Sequence, residues 1–453
     1  MIVTVRQLFE PEVEKLSGQI VTVRGLVKSN RSNKAVGFLQ VNDGSCFKSA
    51  QVVYSPAEDE PSTHLRMGEQ VICEGELVLT PENKQPFEIR AHRITLAGGI
   101  DEDYPLQKKK TSYEYLRAMP HLRQRTNTFG AVFRVRSELS FAIHEYFHEH
   151  GFVYVHTPIF TGNDCEGAGQ AFSVAADPKK PDDFFGKHAT LTVSGQLHVE
   201  PFALTYQKVY TFGPTFRAEK SNTLRHAAEF WMIEPEVAFC DLVGDMDLME
   251  DFLKTVVSRV VSRCPQDFEF FRTWVSKDVE NRLKEMLEKP FKRVDYTEGI
   301  DILLKAKEEG HVFQNPDIYW GLDLMSEHER YLTEQHFACP IFLKNYPKDI
   351  KAFYMKQNDD GKTVRAVDLL FPDVGELCGG SQREEDYQKL KARIEELHMP
   401  VESYQWYLDS RRWGGCVHSG FGLGFDRLLM YITGLENIRD VEPYPRTYGE
   451  MDF

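Results

Sequence analysis

The sequence has 453 residues, of which 42% are hydrophobic and 27% charged, and its net charge is −15. This length predicts two or three domains with cores of their own, and the acidic balance excludes a protein that coats nucleic acid nonspecifically. No apolar run reaches about 18 residues and no basic start precedes an apolar run, so neither a membrane segment nor a signal peptide is predicted. The eight cysteines form no C-x-x-C pair, which predicts neither zinc nor a disulfide framework and fits a reducing cytoplasm.

The first hundred residues contain five strand-like runs separated by turn signals. Five short strands in about a hundred residues predict a small barrel, for which the OB-fold is the leading candidate. Such barrels bind single-stranded nucleic acid by stacking bases on aromatic side chains beside basic ones. The runs are Gln19–Val27, Val36–Val41, Ala50–Tyr54, Gln70–Leu79 and Phe87–Leu96.

Candidate nucleic-acid contacts lie near the start of this barrel. Lys28, Arg31 and Lys34 fall together in the predicted loop between the first two strands, Phe38 lies on the second strand and Gln51 on the third. Taken alone, these residues favour a core position for Phe38 and solvated charges around it. An RNA-binding role for the chain nevertheless needs a local basic patch, and this is the most basic part of the barrel.

A linker and two helical regions follow the barrel. Residues 98–125 are predicted to be the linker, since their first half mixes glycine, acidic residues, a proline and three successive lysines. Apolar residues then recur at helical spacing from Thr128 to His150, and Phe152–Val155 reads as a strand. Further helical patterns fill residues 241–335, to which we assign a structural role and no chemistry. These patterns cover Asp245–Arg263, Val275–Glu288 and Thr297–Glu309.

The most informative stretch, residues 216–236, reads FRAEKSNTLRHAAEFWMIEPE. Its apolar flanks predict two antiparallel strands joined by a polar loop. Side chains two apart share a face of a strand, so Arg217 and Glu219 are predicted to point the same way. Arg225 and His226 on the loop are placed to reach the far end of a polyphosphate. The alternative is an exposed hairpin whose charges are solvated.

This stretch resembles motif 2 of the class II aminoacyl-tRNA synthetases, and most closely that of the asparaginyl family. The resemblance implies that Arg217 holds the α-phosphate of ATP, that Glu219 binds the adenine amino group and that Phe230 stacks on the adenine. It also implies that Arg225 and His226 take the β- and γ-phosphates. The helix, strand and proline around residues 128–158 resemble motif 1, which implies a homodimer.

Two later blocks extend the resemblance. Gly420–Arg427, GFGLGFDR, resembles motif 3, which places Arg427 against the triphosphate; as a dinucleotide-binding loop it fails, since its third glycine comes one residue early. Asp368 and Glu376, eight residues apart, are either ordinary surface carboxylates or oxygen ligands for Mg²⁺, and the resemblance makes both metal ligands. Arg383, in GGSQRE, matches the arginine that binds the carbonyl of the substrate side chain.

The amino-acid pocket is implied by the resemblance of residues 163–169 and 191–200 to asparaginyl signatures. Glu166 would bind the substrate ammonium, since a desolvated charge needs a partner, and Gln196 would line the pocket. Aspartyl enzymes carry a lysine where this chain has Val199, so a buried β-carboxylate would lack its counter-charge. The adjacent Glu200 would repel a carboxylate and accept a hydrogen bond from an amide, which disfavours aspartate.

The barrel segment around Phe38 and Gln51 resembles the anticodon-binding domain of asparaginyl and aspartyl synthetases. Phe38 would stack on the middle anticodon base and Gln51 would hydrogen-bond it, whereas the loop at Lys28 departs from the family pattern. The predicted fold is α+β: an OB-fold barrel (1–97), a linker (98–125), and a class II catalytic domain (126–453) with an antiparallel sheet flanked by helices and a helical insertion around 241–335.

The implied function is ATP-dependent ligation of L-asparagine to tRNA(Asn), with Mg²⁺, by a cytoplasmic homodimer. Three alternatives stay open: an aspartyl-tRNA synthetase of relaxed specificity, a non-catalytic binding protein on the same scaffold, and an ATP-dependent amide-forming enzyme. The second predicts loss of the arginines at positions 217 and 427, and both are present. The third predicts the absence of an anticodon barrel.

Overall fold

The computed structural model describes residues 1–83, 85–109, 111–163 and 171–453. The predicted ammonium ligand, Glu166, therefore lies outside the described residues. The chain forms two compact units, one of Met1–Ser137 with Cys264–Trp274 and the other of Glu138–Arg263 with Val275–Phe453.

The secondary structure of the described residues is mixed. The strands are β1 (Ile20–Ser32), β2 (Gly37–Asn42), β3 (Ala50–Tyr54), β4 (Gln70–Leu79), β5 (Phe87–Gly98), β6 (Val153–Tyr154), β7 (Phe160–Thr161), β8 (Ser173–Val174), β9 (Ala189–Leu191), β10 (Lys208–Phe216), β11 (Glu229–Ala238), β12 (Lys292–Asp295), β13 (Ile341–Lys344), β14 (Ala366–Phe371), β15 (Gly375–Gln382) and β16 (His418–Gly424). The α-helices are α1 (Tyr113–Arg117), α2 (Pro120–Arg123), α3 (Asn127–Glu149), α4 (Gln196–Tyr206), α5 (Leu242–Arg263), α6 (Pro265–Phe270), α7 (Val279–Glu288), α8 (Tyr296–Glu308), α9 (Ser326–Arg330), α10 (Tyr387–Glu396), α11 (Gln405–Arg412) and α12 (Phe425–Thr433). Short 3₁₀ or π turns cover Arg6–Phe9, Pro11–Leu16, Glu60–His64, Phe271–Val275, Tyr331–His336, Lys348–Ile350, Val401–Tyr404 and Ile438–Asp440.

The first five strands close into a barrel in the order β1-β2-β3-β5-β4, which confirms the predicted OB-fold. Alternate residues of each strand point inward because successive side chains of a strand face opposite sides. Val21 and Val23 on β1, Leu39 and Val41 on β2 and Val52 on β3 are fully buried in this way. The alternation visible in the sequence is thus the pattern of the barrel core.

Strand β1 is longer than predicted. It continues to Ser32, so Lys28 and Arg31 lie on the strand, and their assignment to the first loop was wrong. The pairing register of β1 with β2 shifts between Val27 and Ser29. Lys28 is therefore the extra residue of a β-bulge, a feature that turns one side chain out of the regular alternation.

The second unit is built on an eight-stranded sheet in the order β12-β13-β14-β15-β16-β11-β10-β6. Its six inner strands are antiparallel, as predicted, whereas β12 runs parallel to β13 and β6 runs parallel to β10 at the two edges. Parallel neighbours need a long crossover, and helices α4 and α8 lie in the connections that join these two pairs. The predicted strand at 152–155 is thus a two-residue edge strand.

Helix α5 covers one face of this sheet. Its buried residues recur at helical spacing and include Met246, Met249, Leu253, Val256 and Val260. The helix contacts β14, β15 and β16, so the apolar periodicity at residues 245–263 marks a core face. Within the described residues, no helix combines the length and apolarity needed to span a membrane.

Gly37 provides a test of barrel packing. A Cβ at this position would lie 2.1 Å from the ring of Tyr54, which is nearly fully buried in the barrel core. Gly37→Ala should therefore destabilise the barrel by about 1–3 kcal/mol through overpacking, measured as a lower midpoint of thermal unfolding. Gly98→Ala is the matched control, because its Cβ would meet its nearest neighbour at an ordinary 3.6 Å. Equal midpoints for the two variants would contradict this packing.

Candidate active site

A cavity of about 210 Å³ opens among strands β11, β15 and β16, the loop between β10 and β11, and the start of α12. The structure brings together here all seven side chains predicted to bind ATP. They are Arg217, Glu219, Arg225, His226, Phe230, Glu376 and Arg427. Arg217 and Arg225 from one loop thus share a cavity with Arg427, which is about 200 residues further along the chain.

The cavity wall begins where strand β10 ends. The β10–β11 pairing closes at Phe216, and the backbone N–H of Arg217 donates to the carbonyl of Ala228 at 2.9 Å. Arg217 and Glu219 therefore lie beyond the end of the strand. The prediction that they share a strand face was wrong, although both side chains line the cavity. The Arg217 guanidinium lies 5.4 Å from the centre of the Phe230 ring, so a cation and an aromatic face stand side by side.

Backbone carbonyls hold Arg225, a cation of the β10–β11 loop. Arg225 donates to the carbonyls of Val374, at 2.7 Å, and Asp373. Burial, together with the neighbouring guanidiniums of Arg330 and Arg427, lowers the pKa of Arg225. Because like charges held together repel one another, a polyanion in the cavity would relieve this cost.

His226 stands beside these arginines as a neutral side chain. Burial, and after it the charge of Arg427, lowers its pKa. Its Nδ1 lies 2.5 Å from the Thr223 hydroxyl. A neutral imidazole keeps one N–H donor, which suits a hydrogen bond to a phosphate oxygen.

Arg427 connects helix α12, which follows β16, to strand β15. It lies in the first turn of α12, and its Nη1 donates to the carbonyl of Glu376 at 2.9 Å. Gly422 lines the cavity floor, where a Cβ would lie 2.8 Å from the terminal carbon of Met232. A glycine is therefore needed for the floor to pack this closely.

The two predicted metal ligands converge on one glycine. A Cβ at Gly379 would lie 3.1 Å from Oε1 of Glu376 and 3.4 Å from Oδ1 of Asp368. The ammonium of Lys351 pairs with Asp368 at 2.5 Å, and burial raises the pKa of Asp368 against that pairing. The described residues contain no set of three or more acidic, histidine or cysteine side chains placed to hold a metal. Two carboxylates nevertheless suit Mg²⁺ bound jointly by protein and substrate phosphates.

A third carboxylate, Glu329 on α9, was missed. A Cβ at Gly375 would lie 2.6 Å from its Oε2 and 3.5 Å from Nη1 of Arg225. Burial, and after it the charges of Glu376 and Asp368, raises the pKa of Glu329 to about 7. Glu329 thus brings one residue of the 241–335 segment close to the predicted metal ligands, and no local pattern in that acid-rich segment singles out this glutamate.

A buried ion pair lies deeper in the sheet. Arg383, just after β15, donates to both carboxylate oxygens of Glu236 on β11, at 2.5 and 3.2 Å, and to the Ser381 hydroxyl at 2.7 Å. Burial and the Glu200 carboxylate raise the pKa of Glu236, and Arg383 opposes them. Glu236 was not predicted, although an acidic residue inside an apolar strand is a signal for a buried charge.

The Arg383–Glu236 pair reaches across strand β16. Strand β16 lies between β15 and β11, and Gly420 on β16 pairs with Glu236 in register. A Cβ at Gly420 would lie 2.3 Å from the Glu236 carboxylate. The ion pair therefore passes over Gly420, a position of β16 that has no side chain.

Glu200 is already surrounded by donors. Its oxygens accept from Arg411, from the Tyr407 hydroxyl at 2.7 Å and from Nε2 of His418 at 2.7 Å. Burial opposes ionisation, but Arg411 and His418 hold the pKa of Glu200 below its usual range. Its predicted contact with a substrate amide stays a prediction, and the network makes Glu200 the partner of Arg411.

Two neighbours of Glu200 on α4 differ in environment. Val199 is fully buried in an apolar cluster with Val155, Ala203 and Val209, so this position supplies no cation. Gln196 is buried, and its amide nitrogen has no hydrogen-bond partner among the described residues. A buried donor without a partner is costly, which fits a pocket that a ligand fills.

The outer face of the barrel carries the predicted anticodon contacts. Phe38 is half-buried and alternates with fully buried neighbours, so it lies on the outer face of β2 and not in the core. Arg31 pairs with Phe38 in register, and Gln40 pairs with Gln51, with a hydrogen bond of 3.2 Å between the two amides. An aromatic ring, a cation and amides thus share one surface.

Comparison with known proteins places this geometry in a family. The profile described as "tRNA synthetases class II (D, K and N)" matches residues 112–448, and that described as "OB-fold nucleic acid binding domain" matches residues 21–97. An asparagine–tRNA ligase of Clostridium beijerinckii is 52% identical over 465 aligned positions, which cover 100% of this chain and 99% of that protein. One from Bacillus cereus is 53% identical, with 98% of each chain covered.

A crystal structure of asparaginyl-tRNA synthetase from Pyrococcus horikoshii, complexed with asparaginyl-adenylate, superposes with a TM-score of 0.87. It is 34% identical and covers 99% of both chains. The likeness therefore extends over the barrel and the sheet alike.

The Glu200 network predicts a large loss of stability when its arginine is removed. Arg411→Met leaves a buried carboxylate without its main counter-charge and should cost about 3–5 kcal/mol, seen as a lower thermal unfolding midpoint. The double variant Glu200→Gln with Arg411→Met should recover much of that loss.

Arg412→Met is the matched control, since the Arg412 side chain is 51% exposed and its ion pair is with a neighbouring aspartate at the surface. A control as unstable as Arg411→Met would mean that the buried network contributes nothing specific.

Proposed function

Since the chain belongs to the class II aminoacyl-tRNA synthetases, within their asparaginyl family, we propose that it activates L-asparagine with ATP and transfers the asparaginyl group to tRNA(Asn). The observation that carries this proposal is the convergence of Arg217, Arg225 and Arg427 on one cavity. A triphosphate is the ligand whose charge and length such an arrangement fits.

The activation step needs positioning more than proton transfer. The asparagine carboxylate attacks the α-phosphorus of ATP and pyrophosphate leaves, and the nucleophile is already ionised, so no general base is required. In the proposal, Arg217 holds the α-phosphate, while Arg225, His226 and Arg427 hold the β- and γ-phosphates. Arg225 and Arg427, which backbone carbonyls hold in place, would stabilise the charge that develops on the phosphate oxygens.

The adenine and the metal complete the nucleotide site. Phe230 stacks on the adenine and Glu219 accepts from its amino group. Glu376 and Asp368 would hold Mg²⁺, for which their convergence over Gly379 and the adjoining cations of the phosphate site provide the support. When bound, the ion would neutralise phosphate charge.

The buried ion pairs explain the choice of asparagine over aspartate. Arg383 binds the side-chain carbonyl of asparagine, but its charge is already balanced by Glu236, and that of Arg411 by Glu200. A β-carboxylate would enter a pocket whose described cations are compensated, with Val199 in place of a lysine. Gln196 offers its free amide donor, and Glu166 is proposed to bind the ammonium.

The proposal also covers the role of the barrel, the domain boundaries and the oligomeric state. Residues 1–97 form the proposed anticodon-binding domain, with Phe38 stacked on the middle base and Gln51 hydrogen-bonded to it, and residues 126–453 form the catalytic domain. The proposed enzyme is a cytoplasmic homodimer. The non-catalytic alternative does not account for three arginines and a histidine that line one cavity.

Pyrophosphate exchange with each amino acid tests the specificity. Asparagine should support exchange, and aspartate should be rejected by several kcal/mol, roughly 10³–10⁵-fold in kcat/KM, because its carboxylate finds no counter-charge. Comparable exchange with aspartate would instead support the aspartyl enzyme of relaxed specificity. Absence of exchange with every amino acid would support the non-catalytic alternative.

Substitution of the two class arginines tests the nucleotide site. Arg217→Ala and Arg427→Ala should each abolish adenylate formation while leaving the circular dichroism spectrum and the thermal midpoint nearly unchanged, since both side chains border the cavity. Arg412→Ala, at an exposed position of α11, should exchange like the wild type. Near-wild-type exchange in either cavity variant would remove that arginine from the site.

A further inference from the structure

A second cavity, of about 400 Å³, lies within the first unit. Its walls are the barrel on one side and, on the other, the end of the predicted linker with the first turns of α3. Four cationic side chains line it: Arg24, Lys28, Arg125 and Arg134. The proposed activation chemistry uses none of them.

The described acidic groups at this cavity do not balance its cations. Asp43 lines the cavity, and its carboxylate accepts from the backbone N–H groups of Val5 and Ser45 at 2.8 and 3.0 Å. Asp267 pairs with Arg134 at 2.7 Å. Two carboxylates facing four cations leave two positive charges uncompensated.

Lys28 shows what this imbalance costs. As the extra residue of the β1 bulge it is half-buried, and its ammonium donates to the carbonyl of Arg125 at 2.9 Å. Burial, and after it the charge of Arg134, lowers the pKa of Lys28 to about 8. Among the described residues, Lys28 has a carbonyl as its hydrogen-bond partner and a guanidinium nearby. An added anion would therefore stabilise its charged form.

The other cations are open to such an anion. Arg24 is exposed, and its side chain has no hydrogen-bond or ion-pair partner among the described residues. Arg134 bonds Asp267 through Nε and Nη2, while its Nη1 lies 3.6 Å from the place of a Cβ on Gly130. Gly130 thus leaves this guanidinium beside the first turn of α3, where helix N–H groups favour negative charge.

The aromatic lining of the cavity is not free to stack on a base. Phe47 packs on Phe270 with ring centres 4.8 Å apart, and Arg134 lies 5.9 Å from the centre of the same ring. Contacts of cations with phosphate position a nucleic acid without reading its sequence. The aromatic ring at this cavity is therefore unavailable for base stacking, while its cations offer contacts to phosphate.

We propose that this cavity binds a phosphate group, and that the group is a backbone phosphodiester of the bound tRNA. The assignment rests on the proposed function for the identity of the RNA. Free inorganic phosphate presents the same chemistry, so the test separates the two sources. The role of Lys28 and Arg24 is to hold the RNA backbone next to the barrel, away from the bases that Phe38 meets.

The test measures binding of the tRNA(Asn) transcript to the full-length protein over a range of KCl concentrations. Arg24→Gln and Lys28→Met should each weaken binding roughly threefold to tenfold and reduce the slope of log K against log[KCl] by about 0.7–0.9, the value for one lost phosphate contact. Arg93→Gln is the matched control, because Arg93 is also an exposed arginine on a barrel strand but does not line the cavity. Its slope should equal that of the wild type.

A second arm titrates inorganic phosphate alone, followed by ³¹P line width. The variants could leave the slope of log K against log[KCl] for RNA unchanged while Arg24→Gln abolishes binding of inorganic phosphate. That result would overturn the RNA assignment and identify free phosphate as the ligand. An unchanged slope without phosphate binding would overturn the site. Should Lys28→Met fail to fold, Arg24→Gln at its exposed position still decides.

Asparagine-dependent pyrophosphate exchange, which needs no RNA, separates this inference from the proposed function. All cavity variants should exchange at the wild-type rate. Absence of exchange in the wild type would remove the proposed function, while the slopes would still report whether the cavity holds RNA.

Discussion

The centre of the second unit depends on charges buried in compensated pairs. Arg383 and Glu236 form an ion pair across β16. The Glu200 carboxylate accepts hydrogen bonds from Arg411, Tyr407 and His418. Each of these charges would be prohibitively costly alone. Because Arg383 and Arg411 each have a carboxylate partner, this part of the interior carries directional hydrogen bonds and little net charge.

The outer cavity follows the opposite rule. Arg217, Arg225 and Arg427 line one cavity, where burial and the neighbouring guanidiniums lower the pKa of Arg225, so like charges repel one another there. Glu329 and Glu376 stand at the edge of this positive region, and burial near other carboxylates raises the pKa of Glu329. The two regions thus differ in charge: the buried Arg383 and Arg411 each pair with a carboxylate, whereas the cavity arginines repel one another.

Sequence reasoning succeeded where the physical signal is local. Alternation fixed the barrel strands to within a few residues, and helical spacing found α5, because burial of one face imposes those periods. It failed where contacts are distant along the chain. The bulge at Lys28 leaves no mark in composition, and Glu329 and Glu236 acquire their meaning only from neighbours about forty to 150 positions away. The placement of Arg217 beside Glu219 was anticipated from a strand that in fact ends at Phe216.

The bare backbone of Gly420 limits which substitutions the buried Arg383–Glu236 pair can accept. Any side chain there would collide with the Glu236 carboxylate that anchors Arg383. Replacing only Arg383 or only Glu236 leaves the other charge buried without its partner. Placing a larger residue at Gly420 requires changes at all three positions. A substitution at any one of Gly420, Glu236 and Arg383 therefore disturbs the other two, and redesign has to treat the three residues as one unit.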